Sequence, residues 1–304
     1  MVSPILFIIA PLAAAFLMIA INNNAVSLAL AFLVSLGLGI LGITWLPYAL
    51  AQAQPIIVAA LKAPMGIPLS LDALGAGMAI IVAASAALVV LYSASYMRGG
   101  HHQVRYYAVV MILLTSAFGL VLTRDIFNLF VFFEILCISS YILVSWELSG
   151  AALEASFKYM VLGSVGSTFL LVSIALAYKA AGSLAMADIA AAFASAPRGY
   201  VVLAAVTFLF GVGVEAAIFP VNTWLPDAHS SAPSSISAIL SGFVIELALV
   251  VMFRVLNTAF ATAGLMPVLQ GIALIGVLVG EFSAYGQKDL RSEERRVGKE
   301  CRSR

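Results

Sequence analysis

Four ionisable residues stand inside apolar runs, and a fifth closes a polar one. Glu134 lies in FVFFEILCISSY, Lys158 in ASFKYMVLGSVGS, Glu215 in FLFGVGVEAAIFP and Glu246 in LSGFVIELALVVMFR. His229 ends WLPDAH. An ionisable group at mid-bilayer costs at least about 2.5–3.5 kcal/mol on insertion scales, so each of the four is a functional candidate by default. The chemistry they share is binding and release of a proton. Burial disfavours a charged carboxylate, which suits Glu134 to that task near neutral pH; the plainer reading is a hydrogen bond that locks two helices. Lys158 beside Glu134 would titrate with it as one coupled unit. At the very start of its span, Lys158 also fits an interfacial lysine that snorkels to water. Glu215 and Glu246 can face each other across a cavity, where two carboxylates do not both ionise easily; a shared structural proton or a bridging water is the alternative. His229 titrates near neutrality and suits either a shuttle between bulk water and the buried groups or an exposed cap. His101 and His102 read as solvated loop residues, because adjacent histidines point in different directions and do not build a metal site.

The elements that must position these groups are membrane helices. Of the 304 residues, 63% are hydrophobic and 10% are charged, against about 25% charged in a soluble domain. Runs near or above 18 apolar residues cross roughly 30 Å of hydrocarbon as helices, and lipid leaves no other way to satisfy the backbone within one segment. The runs are continuous and do not alternate, which excludes a β-barrel. The expected fold is all-α, a polytopic bundle of about nine helices. The spans are Leu6–Ile21, Val26–Trp45, Leu74–Tyr96, Tyr107–Leu122, Phe127–Val144, Phe157–Tyr178, Tyr200–Phe219, Ile236–Leu256 and one from Val268 to about Tyr285. Residues 46–70 form a Pro/Gly-punctuated loop, residues 179–199 a weakly amphipathic interfacial stretch, and Asn222–Ser235 a polar connector. Leu6–Ile21 lacks the basic flank and cleavage site of a signal peptide and counts as a true helix. Glu134 then falls mid-span, and Gly211, Gly213 and Pro220 bracket Glu215. Interrupted backbone of that kind is tolerated in a membrane only where it packs in protein or lines a cavity.

Other classes are disfavoured. Cys137 and Cys301 make no disulfide framework and no CxxC or Cys/His ligand set, so neither a zinc nor an iron–sulfur site is expected. No dinucleotide or P-loop pattern follows a strand. No cofactor is expected in this chain, and no nucleic-acid partner. The positive-inside rule leaves orientation open: Arg98, Arg105 and Lys288 lie on one side, Lys62, Arg124, Lys179 and Arg198 on the other. The last 14 residues, Arg291 to Arg304, carry six Lys/Arg and three Glu, a break from everything before them. One permitted back-translation of RSEERRVGKECRSR resembles a common sequencing-adapter sequence along its full length. The natural chain is therefore expected to continue past Leu290, and the segment is set aside from fold reasoning.

DIFNLFVFFEILCISSYILV, ASFKYMVLGSVGSTFLL, GSLAMADIA and FPVNTWLPDAHSSAPSSISAILSG closely resemble the proton-conducting antiporter-like subunits of respiratory complex I, Mrp-type cation/proton antiporters and membrane-bound hydrogenases. The likeness covers about residues 70–290, and FFEILCISSY and VGSTFLL look nearest to the Mrp D-type and hydrogenase versions. It implies two inverted five-helix repeats, each with a broken helix, along a central axis of buried charges. On that basis residues 1–100 form an N-terminal three-helix segment, 101–260 the first repeat, and 261–290 the start of the second. The N-terminus would lie outside and the His101 loop in the cytoplasm. Glu134 matches the family's fifth-helix glutamate and Lys158 its sixth-helix lysine. Glu215 and Glu246 stand where the seventh and eighth helices usually carry lysines, and Asn222 where many members have histidine; WLPDAH is intact. Either the path works with altered sign, which is the expectation, or the relay is lost and Glu215 with Glu246 binds a cation.

The function this implies is a proton-translocating, non-catalytic membrane subunit of a redox-driven ion pump, of the NADH:quinone oxidoreductase or energy-converting hydrogenase kind. The alternatives are a subunit of an Mrp-type antiporter with no redox partner, and a structural remnant that holds a membrane arm together. The implied partners are other membrane subunits of a complex, the lipid bilayer, and protons, with Na+ as a second candidate ion. The implied location is a prokaryotic plasma membrane.

Overall fold

A computed structural model describes residues 3–51, 56–57, 66–97 and 102–285 of the chain. Lys62, Arg98, His101, Lys288, Cys301 and the segment 291–304 lie outside the described residues. In chain order the elements are α1 (Leu6–Ile21), α2 (Asn24–Ala51), β1 (Ile56–Ile57), β2 (Ser70–Leu71), α3 (Ala73–Tyr96), α4 (Gln103–Leu122), α5 (Ile126–Val144), α6 (Gly150–Ala181), α7 (Met186–Ser195), α8 (Arg198–Glu215), α9 (Trp224–Ser231) and α10 (Ser234–Ile239). A π-helical turn at Leu240–Val244 joins α10 to α11 (Ile245–Asn257), and a 3₁₀ turn at Ala261–Ala263 precedes α12 (Met266–Tyr285). Among the described residues, seven helices are long and apolar enough to cross a membrane: α2, α3, α4, α5, α6, α8 and the continuous α10–α11. With the shorter apolar α1 and α12, every expected span has its helix. The chain is a multi-pass membrane helix bundle, and β1 and β2 add one short antiparallel pair.

Local chemistry sets the helix ends. Asp72 caps α3 by accepting from Gly75 N at 2.8 Å, Asp125 caps α5 from Phe127 N and Asn128 N, and Ser149 caps α6 from Ala152 N at 3.2 Å. Each oxygen satisfies amide donors that the first helical turn leaves open. At the other end of α6, Gly182 takes a left-handed φ of 64°, where a side chain would be strained.

α4 is the hub. Its apolar window is 83% buried, and it packs on α1, α2, α3, α5 and α11. α6 and α8 meet through glycines: a methyl on Gly166 would sit 2.8 Å from Gly211 O, and one on Gly211 would sit 2.8 Å from Leu170 N. Bare backbones can approach this closely and gain dispersion contacts, which is how membrane helices associate without a hydrophobic drive.

One end of the bundle is tied by charge and backbone. Asp72 holds Arg124 at 3.0 Å and Arg254 at 2.8 Å, and Arg254 also donates to Val121 O at the end of α4 at 2.8 Å. Burial alone would push the Asp72 carboxyl up, but the Arg254 and Arg124 guanidiniums outweigh it and hold it below its ordinary value. Asp125 is shifted the opposite way: burial raises it against the two amides it accepts from. Short bridges Leu69–Thr123 and Asp125–Ala185 bring α7 to the same end.

Several boundaries differ from the expectation: α2 runs on to Ala51 and α6 begins at Gly150. The seventh helix stops at Glu215, where Phe219 was expected, because Ala217 takes a positive φ of 50° and turns the chain before the proline. The connector Asn222–Ser235 is not plain coil, since α9 occupies most of it. The seventh span is thus a broken helix, α8 followed by α9.

Candidate functional site

Glu215 is the last residue of α8 and only 1% exposed. Its two oxygens are held by α6 and α5. The Tyr159 hydroxyl donates to Oε1, and the Cys137 thiol donates to Oε2 at 3.4 Å. Tyr159 stacks face to face on Trp224 of α9, with centroids 3.7 Å apart and planes 3° from parallel. Trp224 in turn donates its indole N–H to Val214 O at 2.7 Å, the carbonyl next to Glu215 in the chain. Tyr141 packs edge-on against Tyr159 at 4.5 Å. Gly163 makes room for it, since a methyl there would overlap the Tyr141 hydroxyl.

Glu134 lies mid-way along α5, half-buried, and accepts from Ser167 of α6. Cys137, which contacts Glu215, lies one helical turn further along α5. Among the described residues, no ion pair involves Glu134 or Glu215. The centre of the site is therefore a buried carboxylate held by a hydroxyl and a thiol, with a second carboxylate one turn along α5 from the thiol.

Lys158 is not at Glu134. Its ammonium sits 2.8 Å from Asp227 on α9 and 2.8 Å from Glu154 one turn back on α6, and its side chain is 48% exposed. It lies in the third turn of α6, which begins well before the expected Phe157, so the side chain faces a groove and not the α5–α6 seam. That groove, about 400 Å³, is lined by Lys158, Asp227, Thr223 and Trp224 with Phe157 and Leu162. Glu246 does not face Glu215. α11 buries Leu247, Ala248, Val251 and Val255, which turns Glu246 to the exposed face. His229 is half-buried on α9, with Nδ1 2.7 Å from Ser237 Oγ of α10.

The structure therefore places Glu134 one turn from the thiol that contacts Glu215, places Lys158 with Asp227, and leaves Glu246 apart. Sequence reading missed Tyr159, Cys137 and Trp224 as neighbours of Glu215. The one signal available was helical spacing. Tyr159 follows Lys158 directly, and Cys137 and Tyr141 are four residues apart on the face that also carries Glu134 one turn earlier.

A family described as NADH:quinone oxidoreductase/Mrp antiporter, TM, matches residues 123–293. A second, described as NADH-Ubiquinone oxidoreductase (complex I), chain 5 N-terminus, matches residues 57–107. The chain belongs to the NADH:quinone oxidoreductase/Mrp antiporter transmembrane family. It is 29% identical over 298 residues to NADH-quinone oxidoreductase subunit N of Desulforudis audaxviator, covering 94% of this chain and 59% of that protein. It is 30% identical over 259 residues to the D-type subunit of the Na(+)/H(+) antiporter of Bacillus subtilis, covering 84% of this chain and 52% of that protein. Among solved structures, a chain of the archaeal membrane-bound sulfane sulfur reductase superposes with a TM-score of 0.87 at 33% identity, covering 94% of this chain and 60% of that one. The chain thus spans between half and two thirds of the length of these relatives.

Proposed function

We propose that this chain is the proton-translocating part of a membrane subunit in a redox-driven ion pump, with Glu215 as its central proton carrier and Glu134 as the neighbouring station. One observation carries the reading: Glu215 is buried in a candidate membrane span, its two oxygens hold O–H and S–H donors, and it has no cation among the described residues. Holding a carboxylate ionised in such a place costs several kcal/mol when no cation offsets it, so charging or discharging it is tied to moving a proton. Glu134, on α5 one helical turn before the Cys137 that contacts Glu215, offers a second carboxylate to which a proton can pass. His229 lies towards α10, where it serves delivery, and Lys158 lies in the groove, where it holds Asp227 of α9. Glu246 stands on a face open to whatever packs beside α11. In this reading the electrons run in partner subunits of the same prokaryotic plasma-membrane complex.

The Bacillus subtilis antiporter protein is as similar to this chain as the quinone-reductase one is, which favours a second reading as part of an Mrp-type cation/proton antiporter. One experiment serves both readings. The full-length protein in its native complex is reconstituted in vesicles, and acidification is followed by quenching of a pH-sensitive dye. Glu215→Gln is expected to slow proton movement at least about tenfold, equivalent to roughly 1.4 kcal/mol or more on the transfer barrier. An unchanged rate removes Glu215 from the path. Acidification that starts on addition of a reductant places the chain in a redox pump; acidification that starts only with a Na+ gradient selects the antiporter.

A further inference from the structure

The contacts between α6 and α9 come as two consecutive pairs. Lys158 meets Asp227, and Tyr159, the next residue, meets Trp224, one turn earlier on α9. The inner pair lies against Glu215, because Tyr159 donates to it. The outer pair lies in the exposed groove, which Trp224 also lines. Trp224 thus has the groove on one side and Tyr159, with Glu215 behind it, on the other. α9 is eight residues long, too short to hold its place by its own helical stability. Its position depends on these contacts, on the indole bond to Val214 O and on the His229–Ser237 contact to α10.

We infer that α9 is a gate between the groove and Glu215, with Trp224 as the closing side chain against Tyr159 and the Lys158–Asp227 ion pair as its latch. This rests on the reading of Glu215 as a proton carrier. While the stack is closed, no water reaches the carboxylate. When the ion pair parts, α9 loses its outer fastening, Trp224 lifts from Tyr159, and groove water meets the Tyr159 hydroxyl and Glu215. Lys158 is a positioning residue in this scheme: it acts on the path through α9 and not as a proton station.

The buried Cys137 thiol, in contact with Glu215, reports on the opening. The full-length protein in its complex, in membrane vesicles, is treated with the membrane-impermeant reagent methanethiosulfonate ethyltrimethylammonium. Modification is read by mass spectrometry of the Cys137 peptide. Reaction of a buried group tracks its local opening, so Trp224→Ala and Asp227→Asn are each expected to speed labelling about tenfold, while Trp224→Phe, which keeps an aromatic face but loses the indole bond to Val214 O, falls between wild type and Trp224→Ala. An unchanged rate in Asp227→Asn overturns the gate, whether or not Trp224→Ala assembles, because Asp227 is half-exposed and its amide should fold. Equal acceleration in Trp224→Phe also overturns it, since that marks general loosening. The labelling does not require that Glu215 carry protons. Full proton movement in Glu215→Gln would remove the proposed function and leave the gate standing, whereas the labelling outcomes test the gate alone.

Discussion

At the scale of single residues, the site is defined by the donors Glu215 has gathered. Tyr159 does two jobs with separate atoms: its ring stacks on Trp224 and its hydroxyl binds Glu215. Tyr159→Phe keeps the first and deletes the second. Losing a buried hydrogen bond to a group of this kind costs about 1–3 kcal/mol. Proton movement in vesicles should fall by roughly five- to a hundredfold, while protection of Cys137 stays unchanged. A loss of protection in this variant would mean that the hydroxyl, not the ring, holds the site shut. The residue types at Glu134 and Glu215 were readable from the chain, because a carboxylate in an apolar run is costly wherever that run ends up. Their partners were not. Lys158 was read either as a partner of Glu134 or as an interfacial lysine, and α6 begins seven residues before the expected start of the span, which keeps the lysine towards the aqueous end and gives it to Asp227.

At the scale of elements, the α6–α8 crossing sets where Glu215 falls. Gly166 and Gly211 bring the two backbones into direct contact, and that contact aligns the end of α8 with Tyr159. Gly211→Val would place a branched side chain against Leu170 N and Gly166 O. Overpacking of this sort costs about 1–3 kcal/mol. The expected result is a lower unfolding temperature in detergent together with faster Cys137 labelling; an unchanged unfolding temperature would show that the crossing has slack. The spans themselves were legible from hydropathy, with ends within a few residues for most of them. The exceptions fall where apolar length says little. α2 runs on to Ala51 through Pro47, α9 forms inside a polar stretch, and the π turn at Leu240–Val244 shifts the register of the eighth span by one residue. That shift, together with the buried face of α11, leaves Glu246 away from Glu215.

At the scale of the whole molecule, the end opposite the groove is clamped by Asp72, Arg124 and Arg254, which join α3, α4, α5 and α11. Asp72→Asn removes the one negative charge between two guanidiniums. It should destabilise the protein by about 2 kcal/mol, discounted from the buried-pair figure because Asp72 is partly solvated. The pH dependence has a definite sign. The folded carboxyl is held below its ordinary 3.8, so its contribution is complete above that value and fades as pH falls through the lower folded value. The gap in unfolding temperature between wild type and Asp72→Asn, followed by tryptophan fluorescence in detergent, should therefore be constant from pH 7 to about 5 and narrow as pH falls below the ordinary 3.8 towards the lower folded value. A gap that does not narrow at all as pH falls below 3.8 would show that the aspartate acts through shape and not charge.

The class of the molecule, the number and order of its spans and the presence of carboxylates in them were all legible in the order of residues alone. Those properties follow from transfer of side chains between water and hydrocarbon, which is additive along the chain and blind to partners. The motifs around Glu134 and WLPDAH carried the family for the same reason of local order. Which side chains the carboxylates meet was settled by tertiary packing, because that depends on helix rotation, crossing distance and helix ends. Small residues such as Gly166, Gly211 and Gly163 set these in pairs drawn from different spans. A one-residue change of register turns a side chain by about 100° on a helix, enough to bury Glu215 against Tyr159 and to leave Glu246 on the outer face.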